Sequence, residues 1–538
     1  MELAPSQTST ASLPLGGVLA RIQYPLLTLG ILVFVVLGWR SRLPVMIVGG
    51  DDLTYVSISR SLEAGTYREI YSAAAPRHVK YPPGYPAWLL AVRKLGGDSH
   101  DLIRGLNIGL IAIAILSVFV IVRKVAGSGI ALIAVFLLAF NPALLRTGAT
   151  LLSEPLYIGL VGAGLAVTTL APPASRRAAY AAILLAMAAF MTRSAGLTLV
   201  LGVGLWLWQR RRRPELIAFG LAALVVVGGW FAYSAVVPPG DAGRSYLYDV
   251  TGGFTPRNPG QSRLKPLVQN AVGYATDALP SALMLPTIPG TVLDNVFWLA
   301  ALIALIGSGI VVLSRSAPAV AWYLVFSVVL LVAWPWRQDR LLIPMVPLVV
   351  AAMVVGADRL TRRLPAAARN ASLAALAALG GIGAVPVALG QAAGAESCDR
   401  SSPFESAGCY NDESRSMAAA AHYLRDTAPG GSVILTVSGA AVNWLTGHLT
   451  EEPRLAATYP PGEAGRGLRE RGIRYILITG GRRQEWNQLG PALLASCRDL
   501  RLEARFPPAA FVLVTEPPTL PSQDACGDLE RLVKTGGG

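Results

Sequence analysis

The chain has 538 residues, of which 53% are hydrophobic and 14% are charged, and its mean hydropathy is +0.50. Soluble proteins carry about 25% charged residues, so this composition argues against a cytosolic enzyme and favours an α-helical polytopic membrane protein. The net charge of +14 does not indicate nucleic-acid binding, because the basic residues lie in short clusters between long apolar runs.

Eleven apolar runs approach the length of about 20 residues that a transmembrane helix needs. They cover residues 23–39, 103–122, 128–145, 151–170, 178–191, 195–209, 215–237, 293–313, 317–334, 341–357 and 370–390. The segment before the first run lacks a basic region, and no convincing cleavage site follows the run. We therefore interpret the first run, residues 23–39, as an uncleaved membrane anchor.

The lysines and arginines in the short connections predict the orientation of these spans. With the N terminus inside, fourteen of them lie inside: Arg21, Arg123, Lys124, Arg176, Arg177, Arg210, Arg211, Arg212, Arg213, Arg315, Arg359, Arg362, Arg363 and Arg369. Four lie in short outer loops: Arg146, Arg193, Arg337 and Arg340. Arg40 and Arg42 run against this bias. We expect the N terminus inside and, with eleven spans, the C terminus outside.

This topology places residues 41–102 and 238–292 in outer loops. It divides the chain into a transmembrane region, residues 1–394, and an extracytoplasmic region, residues 395–538. The loop 238–292 is long for a structureless connection, so it is expected to cover a donor site or to receive an acceptor. Its Tyr246 and Tyr248 have two interpretations, contact with sugar rings or packing onto the membrane helices.

Two adjacent carboxylates, Asp51 and Asp52, follow the first span and precede a helix-like stretch. One interpretation is helix capping, because an Asp accepts unpaired N–H groups and complements the helix dipole. The other is a general base with an electrostatic partner, because neighbouring carboxylates raise one pKa. The segment Lys80-Tyr81-Pro82-Pro83-Gly84-Tyr85-Pro86 follows about thirty residues later.

Further ionisable residues lie at the predicted outer ends of later spans. Glu154 begins one span, either as a cap or as a second functional carboxylate. Arg193 is the charged residue of a short outer loop, where it either reaches the interface harmlessly or contacts a substrate. Arg337 and Arg340 stand beside two tryptophans, which form an aromatic belt, but two arginines placed against the charge bias also suggest contact with a phosphate or sugar.

The C-terminal region differs in pattern from the spans. Apolar β-rich runs at 432–437, 473–479 and 511–515 alternate with helical patterns near 414–426, before Gly447, at 463–471 and at 487–497, which predicts a small α/β domain with a partly parallel sheet. All four cysteines lie here. An oxidising compartment favours two disulfides, Cys398 with Cys409 and Cys497 with Cys526, among three connectivities; four reduced thiols are the alternative for a cytosolic tail.

Several classes of enzyme have no support in the sequence. It contains no G-x-x-x-x-G-K-[ST] loop, no H-E-x-x-H and no C-x-x-C, and only four histidines. Asp51, Asp52 or Glu154 are of the ligand type that hard divalent cations prefer, but we predict no metal and no cofactor.

The order of these motifs resembles the GT-C membrane glycosyltransferases. The likeness rests on Asp-Asp-x-x-Tyr after the first span, Tyr-Pro-Pro-Gly-Tyr-Pro in the same loop, Ser-Glu-Pro at 153–155 and Thr-Arg at 192–193. It is closest to the branch of protein O-mannosyltransferases, aminoarabinose transferases and lipopolysaccharide-sugar transferases. The C-terminal region is similar to the soluble domain that often ends such chains.

The resemblance implies a function and assigns residues to it. Asp51 would take the proton from a hydroxyl of a lipid, glycan or protein acceptor, with Asp52 as its neighbour. The donor would be a polyprenyl-phosphate sugar attacked with inversion at the outer face of a bacterial plasma membrane. Lys80, Tyr81, Tyr85, Arg193, Arg337 and Arg340 would bind the donor phosphate or substrate. Aminoarabinose transferases have Lys directly before Pro-Pro, whereas Tyr81 stands there in this chain, so a sugar-stacking Tyr81 is an equal alternative to a phosphate-binding Lys80.

Two other functions fit eleven spans. A transporter or flippase for a lipid-linked sugar is the main alternative, although carriers place ionisable groups near the bilayer midplane and this chain places them at the outer ends of spans. An assembly protein that uses its outer domain to bind a partner is the third.

Overall fold

The computed structural model describes residues 15–43, 51–172, 174–237, 246, 264–284, 292–334, 337–406, 408–479 and 490–535. Most of the predicted outer loop 238–292 lies outside these residues, Tyr246, residues 264–284 and Val292 excepted. The helices up to residue 396 are α1 Leu15–Arg40, α2 Asp51–Glu63, α3 Gly84–Gly96, α4 His100–Ala126, α5 Ser128–Ala139, α6 Pro142–Gly148, α7 Glu154–Leu170, α8 Arg176–Thr192, α9 Leu197–Gln209, α10 Arg213–Ala223, α11 Gly229–Val236, α12 Leu264–Gly273, α13 Leu279–Ala282, α14 Val292–Ser316, α15 Pro318–Ala333, α16 Val346–Thr361 and α17 Ala366–Glu396.

All eleven predicted runs fall on these helices, but fewer helices qualify as spans. Six helical stretches of the described residues are long and apolar enough to cross a membrane: Ile22–Arg40, His100–Ala126, Arg213–Val236, Trp298–Ser316, Asp339–Thr361 and Ala366–Glu396. The pair α5 and α6, bent by 62°, would make a seventh. Because α7 has 17 residues and rises only about 25 Å, it is shorter than the hydrocarbon core. The count of eleven spans stays a prediction.

Local sequence explains where several helices begin. In three of them a side chain accepts a backbone N–H of the first turn, which satisfies one of the unpaired donors at a helix start. These caps are Ser99 to Leu102, Asn141 to Leu144 and Ser175 to Ala178.

Helix α16 runs through the centre of the helical region. It continues a 3₁₀ turn over Asp339–Met345, and residues 346–358 are all buried. It contacts α14, α5 and α4, so the main apolar core closes around it. One end of this stretch carries Arg340 and the other carries Asp358.

The C-terminal residues form a five-stranded sheet with strands β1 Val433–Thr436, β2 Leu449–Glu451, β3 Ile473–Thr479, β4 Arg501–Phe506 and β5 Ala510–Val514. The order is β2-β1-β3-β5-β4, in which β1 is parallel to β2 and β3, and β5 is antiparallel to β3 and β4. The sheet is therefore partly parallel, as the sequence predicts. The two strands that the sequence analysis does not predict, β2 and β4, are the two edges, where strands are short or charged and lose the apolar pattern.

The helices of this region are α18 Asp412–Thr427, α19 Gly439–Thr446, α20 Ala464–Glu470 and α21 Cys526–Thr535, and residues 490–495 are also helical. The cysteines pair as the sequence analysis favours. Cys398 bonds Cys409 with 4.7 Å between their Cα atoms, and Cys497 bonds Cys526 with 5.0 Å. Both distances lie within the usual range for disulfides.

The first predicted outer loop joins the edge of this sheet. Ser72 pairs with Thr450 of β2 in parallel. The N–H of Thr450 donates to the carbonyl of Tyr71, and the N–H of Ala73 donates to the carbonyl of Thr450. Because β2 is an edge strand, the loop occupies backbone groups that would otherwise be open to other chains. The loop that carries the Pro-Pro-Gly motif is thus held on both sides, by the helices and by the sheet.

Candidate active site

Asp51 lies at the first position of α2, and its two oxygens have different partners. The Tyr81 hydroxyl donates to Oδ1 at 2.6 Å, and Nη2 of Arg340 donates to Oδ2 at 2.6 Å. Its side chain is 27% exposed and that of Arg340 is 31% exposed, so both can be reached from outside the protein. Asp52 is buried instead, and its Oδ1 accepts the N–H of Leu53. The structure thus separates the two adjacent carboxylates into one accessible group and one buried group.

Arg340 connects Asp51 to the second predicted carboxylate. Its Nε lies 2.7 Å from Oε1 of Glu154, and Nη1 of Arg193 lies 2.7 Å from the same oxygen. Glu154 is fully buried, so its charge requires these two arginines. Four charged side chains from distant parts of the chain thereby form one cluster, which we call the charge cluster: Asp51, Glu154, Arg193 and Arg340.

Hydroxyl groups fix the buried side of the charge cluster. Nη1 of Arg193 donates to Oγ of Ser153 at 2.9 Å, and the Tyr55 hydroxyl lies 3.0 Å from the same Oγ. Tyr55 is one helical turn after Asp51, so both side chains lie on the same face of α2. The sequence analysis gives no role to Tyr55 or Ser153, although the spacing of Tyr55 from Asp51 was a signal that both face the same site.

Two glycines allow the segments of the charge cluster to approach each other. A Cβ at Gly84 would lie 2.5 Å from the carbonyl oxygen of Met191, and one at Gly196 would lie 2.4 Å from the amide nitrogen of Phe190. Either side chain would push away the end of α8, which is followed at once by Arg193. Close packing against the end of α8 therefore explains why the Pro-Pro-Gly motif has a glycine at position 84.

The surroundings of Asp51 stabilise its ionised form. Burial raises the pKa of Asp51, but the charge of Arg340, the Tyr81 hydrogen bond and the charge of Lys80 together lower it below its ordinary value of 3.8. Burial raises the pKa of Tyr81, and the nearby Asp51 charge raises it further. Asp51 is thus ionised and Tyr81 protonated at neutral pH, which makes the tyrosine a permanent donor to the carboxylate.

Aromatic rings line one side of Asp51. The ring of Tyr81 lies 4.7 Å from that of Tyr55 and 6.0 Å from that of Tyr246, and Tyr246 lies 5.4 Å from Trp334, measured between centroids. Tyr246 brings the predicted outer loop 238–292 to this place. The Lys80 ammonium lies 5.7 Å from the centre of the Tyr81 ring. The arrangement offers flat apolar faces next to an accessible carboxylate.

Two of the predicted substrate-binding residues face elsewhere. Arg337 forms ion pairs with Asp277 at 2.6 Å and Asp339 at 3.3 Å, instead of with the carboxylates of the charge cluster. Tyr85 is fully buried and packs edge-on against Tyr55, with 4.9 Å between centroids. Their roles in binding stay predictions. The described residues contain no group of three His, Cys, Asp or Glu side chains that could hold a metal ion.

Comparison of the structure with solved structures finds the same fold in two glycosyltransferases. ArnT from Cupriavidus metallidurans matches in the apo state with a TM-score of 0.58 and 14% identity over 91% of this chain and 97% of ArnT. Its structure bound to undecaprenyl phosphate matches with a TM-score of 0.57 and 15% identity over the same shares. The apo oligosaccharyltransferase of Archaeoglobus fulgidus matches with a TM-score of 0.56 and 13% identity over 89% of this chain and 73% of that protein.

Both proteins are members of the GT-C superfamily, and this chain shares their fold, as the resemblance implies. The eleven spans and the extracytoplasmic C-terminal domain stay predictions. No protein-family model and no curated protein match the sequence itself. At these identities the likeness concerns the fold, and the chemistry must be argued from the charge cluster.

Proposed function

We propose that this protein is an inverting glycosyltransferase that moves a sugar from a polyprenyl-phosphate donor to an acceptor hydroxyl. One observation carries the proposal: an accessible carboxylate, Asp51, lies within hydrogen-bond distance of an accessible arginine, Arg340, which stands near the start of the apolar stretch Asp339–Thr361. Glycosyl transfer from a phosphate needs a base for the acceptor and cations for the leaving group, and these two side chains supply both.

A lipid-linked phosphate fits this position better than a nucleotide sugar. Arg340 begins the apolar stretch Asp339–Thr361, so its guanidinium lies where a lipid phosphate would meet the protein while the lipid tail stays in the bilayer. Arginine also offers a planar pair of donors that suits phosphate oxygens. The similar ArnT has been solved with undecaprenyl phosphate bound, which supports a donor of this class.

The donor phosphate activates Asp51 by drawing Arg340 away from it. Without donor, Arg340 occupies Oδ2 and weakens Asp51 as a base, because a neighbouring cation favours the ionised carboxylate. When the guanidinium turns to the phosphate, Oδ2 becomes free for the acceptor hydroxyl, and the pKa of Asp51 rises. Glu154 stays between Arg193 and Arg340 and reduces the repulsion between them.

The transfer is a single displacement. The acceptor oxygen forms a bond to the anomeric carbon from the face opposite the phosphate, and its proton passes to Oδ2 of Asp51. The bond between the anomeric carbon and the phosphate oxygen breaks, and its electron pair stays on the polyprenyl phosphate. Arg340, Arg193 and Lys80 stabilise the added negative charge, which replaces protonation of the leaving group.

The proposed reaction takes place at one face of the membrane. The charge cluster belongs to the outer face of a bacterial plasma membrane, with the N terminus in the cytoplasm and residues 395–538 as an extracytoplasmic domain behind the transmembrane domain, residues 1–394. The excess of lysine and arginine in the predicted inner segments supports this orientation.

The experiment is transfer of labelled sugar in membranes that contain the parent or Asp51→Asn. The membranes receive a panel of undecaprenyl-phosphate sugars and native lipid extract. We expect Asp51→Asn to lower the transfer rate about a thousandfold, because the amide cannot take the proton. The matched control is Asp277→Asn, an exposed carboxylate that pairs with Arg337, and its rate should equal that of the parent.

Two results would overturn the proposal. Full transfer by Asp51→Asn would remove Asp51 as the base. Movement of labelled lipid between leaflets without sugar transfer, equal in the parent and in Asp51→Asn, would establish the lipid-linked sugar transporter in place of the enzyme.

A further inference from the structure

A second polar network lies behind Tyr81, separate from the charge cluster. Nδ1 of His78 lies 2.7 Å from Oε1 of Glu69, and the Tyr71 hydroxyl donates to Oε2 of Glu69 at 3.0 Å. His78 is 1% exposed and Glu69 is 3% exposed. A buried carboxylate and imidazole are costly to desolvate, so their presence here requires a reason beyond packing.

The backbone of Tyr81 determines which imidazole nitrogen carries the proton. The N–H of Tyr81 donates to Nε2 of His78 at 2.9 Å. Since an N–H can only donate, Nε2 must be an unprotonated acceptor, and the ring proton lies on Nδ1, where it is donated to Glu69. The carboxylate of Glu69 therefore selects the imidazole tautomer that can hold the Tyr81 peptide.

The carbonyl of Tyr81 is also held by a hydrogen bond. The Tyr67 hydroxyl donates to the Tyr81 carbonyl at 2.7 Å, and the rings of His78 and Tyr81 lie 5.0 Å apart. With its N–H and its carbonyl both engaged, the backbone of Tyr81 is held in both adjoining peptide groups and cannot rotate without breaking these hydrogen bonds. The phenol at the other end of this residue is the group that donates to Asp51.

The network begins at the sheet. Tyr71, which donates to Glu69, also accepts the N–H of Thr450 through its carbonyl. A continuous series of hydrogen bonds thus runs from the edge strand β2 through Tyr71, Glu69 and His78 to Tyr81 and ends at Asp51.

We propose that His78 and Glu69 are positioning residues, which hold the Tyr81 peptide so that its hydroxyl stays on Oδ1 of Asp51 and leaves Oδ2 for the acceptor proton. The proposal rests on the function proposed for Asp51. Neither residue touches the reacting atoms, and both act through Tyr81. Their loss should therefore lower kcat and leave KM for the donor unchanged.

A double-mutant cycle tests this dependence with the labelled undecaprenyl-phosphate sugar that the parent consumes. We expect Tyr81→Phe and His78→Leu each to lower kcat about tenfold, because each removes the hydrogen bond to a charged group or its support. Tyr81→Phe with His78→Leu should be within about twofold of Tyr81→Phe alone, because interactions through a shared partner are not additive. His78→Gln, whose Oε1 can accept the Tyr81 N–H, should restore most of the rate.

A control separates positioning from general loosening of the loop. Ser61 is fully buried, and its Oγ accepts the N–H of Arg68 and lies 2.8 Å from Oγ1 of Thr66, so its hydrogen bonds are separate from those of His78. We expect Ser61→Ala to lower thermal stability about as much as His78→Leu, yet to keep the parent kcat. If His78→Leu fails to fold, the cycle of Tyr81→Phe with Glu69→Gln replaces it.

The outcomes distinguish this proposal from the function on which it rests. Effects of His78→Leu and Tyr81→Phe that multiply, or a loss in KM with kcat intact, would overturn the positioning role while Asp51→Asn still abolished transfer. Full transfer by Asp51→Asn would overturn the proposed function itself.

Discussion

The two ends of the stretch Asp339–Thr361 each carry a cluster of charges, and the two clusters are built differently. At one end, Arg340 meets Asp51 and Glu154, so the partners come from distant segments. At the other end, Asp358 pairs with Arg362 at 2.7 Å and with Arg369 at 2.5 Å, all within eleven residues of the chain.

Burial is also distributed in opposite ways. Asp358 is fully buried under two arginines that are 52% and 38% exposed, so its oxygens are closed to any ligand. Asp51 and Arg340 are both partly exposed. A local cluster with a covered carboxylate stabilises the helix end, where a cation complements the dipole. A nonlocal cluster with accessible partners costs more to assemble and can exchange one partner for a ligand. A candidate site thus differs from a structural ion pair in two respects beyond charge. Its side chains are accessible, and they come from distant segments of the chain.

The largest effect expected from this comparison concerns two arginines of the same segment. Arg340→Ala should lower the transfer rate about a hundredfold, since it removes the cation next to the leaving phosphate. Arg337→Ala tests the binding role that the sequence predicts for Arg337. Because Arg337 pairs with Asp277 and Asp339 instead, we expect its rate to stay within about twofold of the parent. Initial rates at saturating donor measure both. Equal losses in the two variants would show that the charge cluster does not define the phosphate site.

At the other end of the helix, we expect a substitution to lower stability and to leave activity unchanged. Asp358→Asn should lower the free energy of unfolding by about 1–3 kcal/mol, because two arginines lose a buried charged acceptor. The rate per folded molecule should be that of the parent. Thermal unfolding in detergent, compared with Asp51→Asn, measures the contrast. A transfer defect in Asp358→Asn at unchanged stability would contradict the structural role.

The sequence predicted the parts of the charge cluster but not their connections. Glu154, Arg193 and Arg340 stand out because ionisable residues at the ends of apolar runs are costly. Asp51 stands out because a second carboxylate, Asp52, adjoins it after the first span. Which arginine of the pair Arg337 and Arg340 meets Asp51 depends on a 3₁₀ turn and on contacts across the fold, and neither leaves a periodic pattern. The same holds for Glu69 and His78, whose pairing depends on the loop closing on the edge of the sheet.

For the fold, too, the sequence predicted some elements and missed others. The central strands β1, β3 and β5 are mostly apolar and were predicted, whereas the edge strands β2 and β4 were not. All eleven apolar runs are helical, but the bend between α5 and α6 and the short α7 show why hydropathy alone does not count spans.

The smallest predicted effect is in the pH dependence of kcat/KM for the donor, which reports the ionisation of the free enzyme. Arg340, Tyr81 and Lys80 outweigh burial and hold the pKa of Asp51 below 3.8, so in the parent Asp51 loses its charge only as the pH falls below that value. The stability that its ionised form contributes is likewise present above its unfolded pKa and lost as the pH falls through the lower folded pKa.

Arg340→Gln removes the largest of the charges that lower this pKa, while the burial that raises it remains. The acid limb of kcat/KM should therefore move to higher pH in Arg340→Gln, and Arg337→Gln should keep the parent profile. Profiles from about pH 3 to pH 8, which extend below the ordinary pKa of an Asp, measure the shift. An acid limb at the same pH in all three proteins would mean that Arg340 does not control the charge of Asp51. The exchange of Arg340 between the carboxylate and the donor phosphate would then have no energetic basis, and the accessible cluster would act as a fixed ion pair like the one at Asp358.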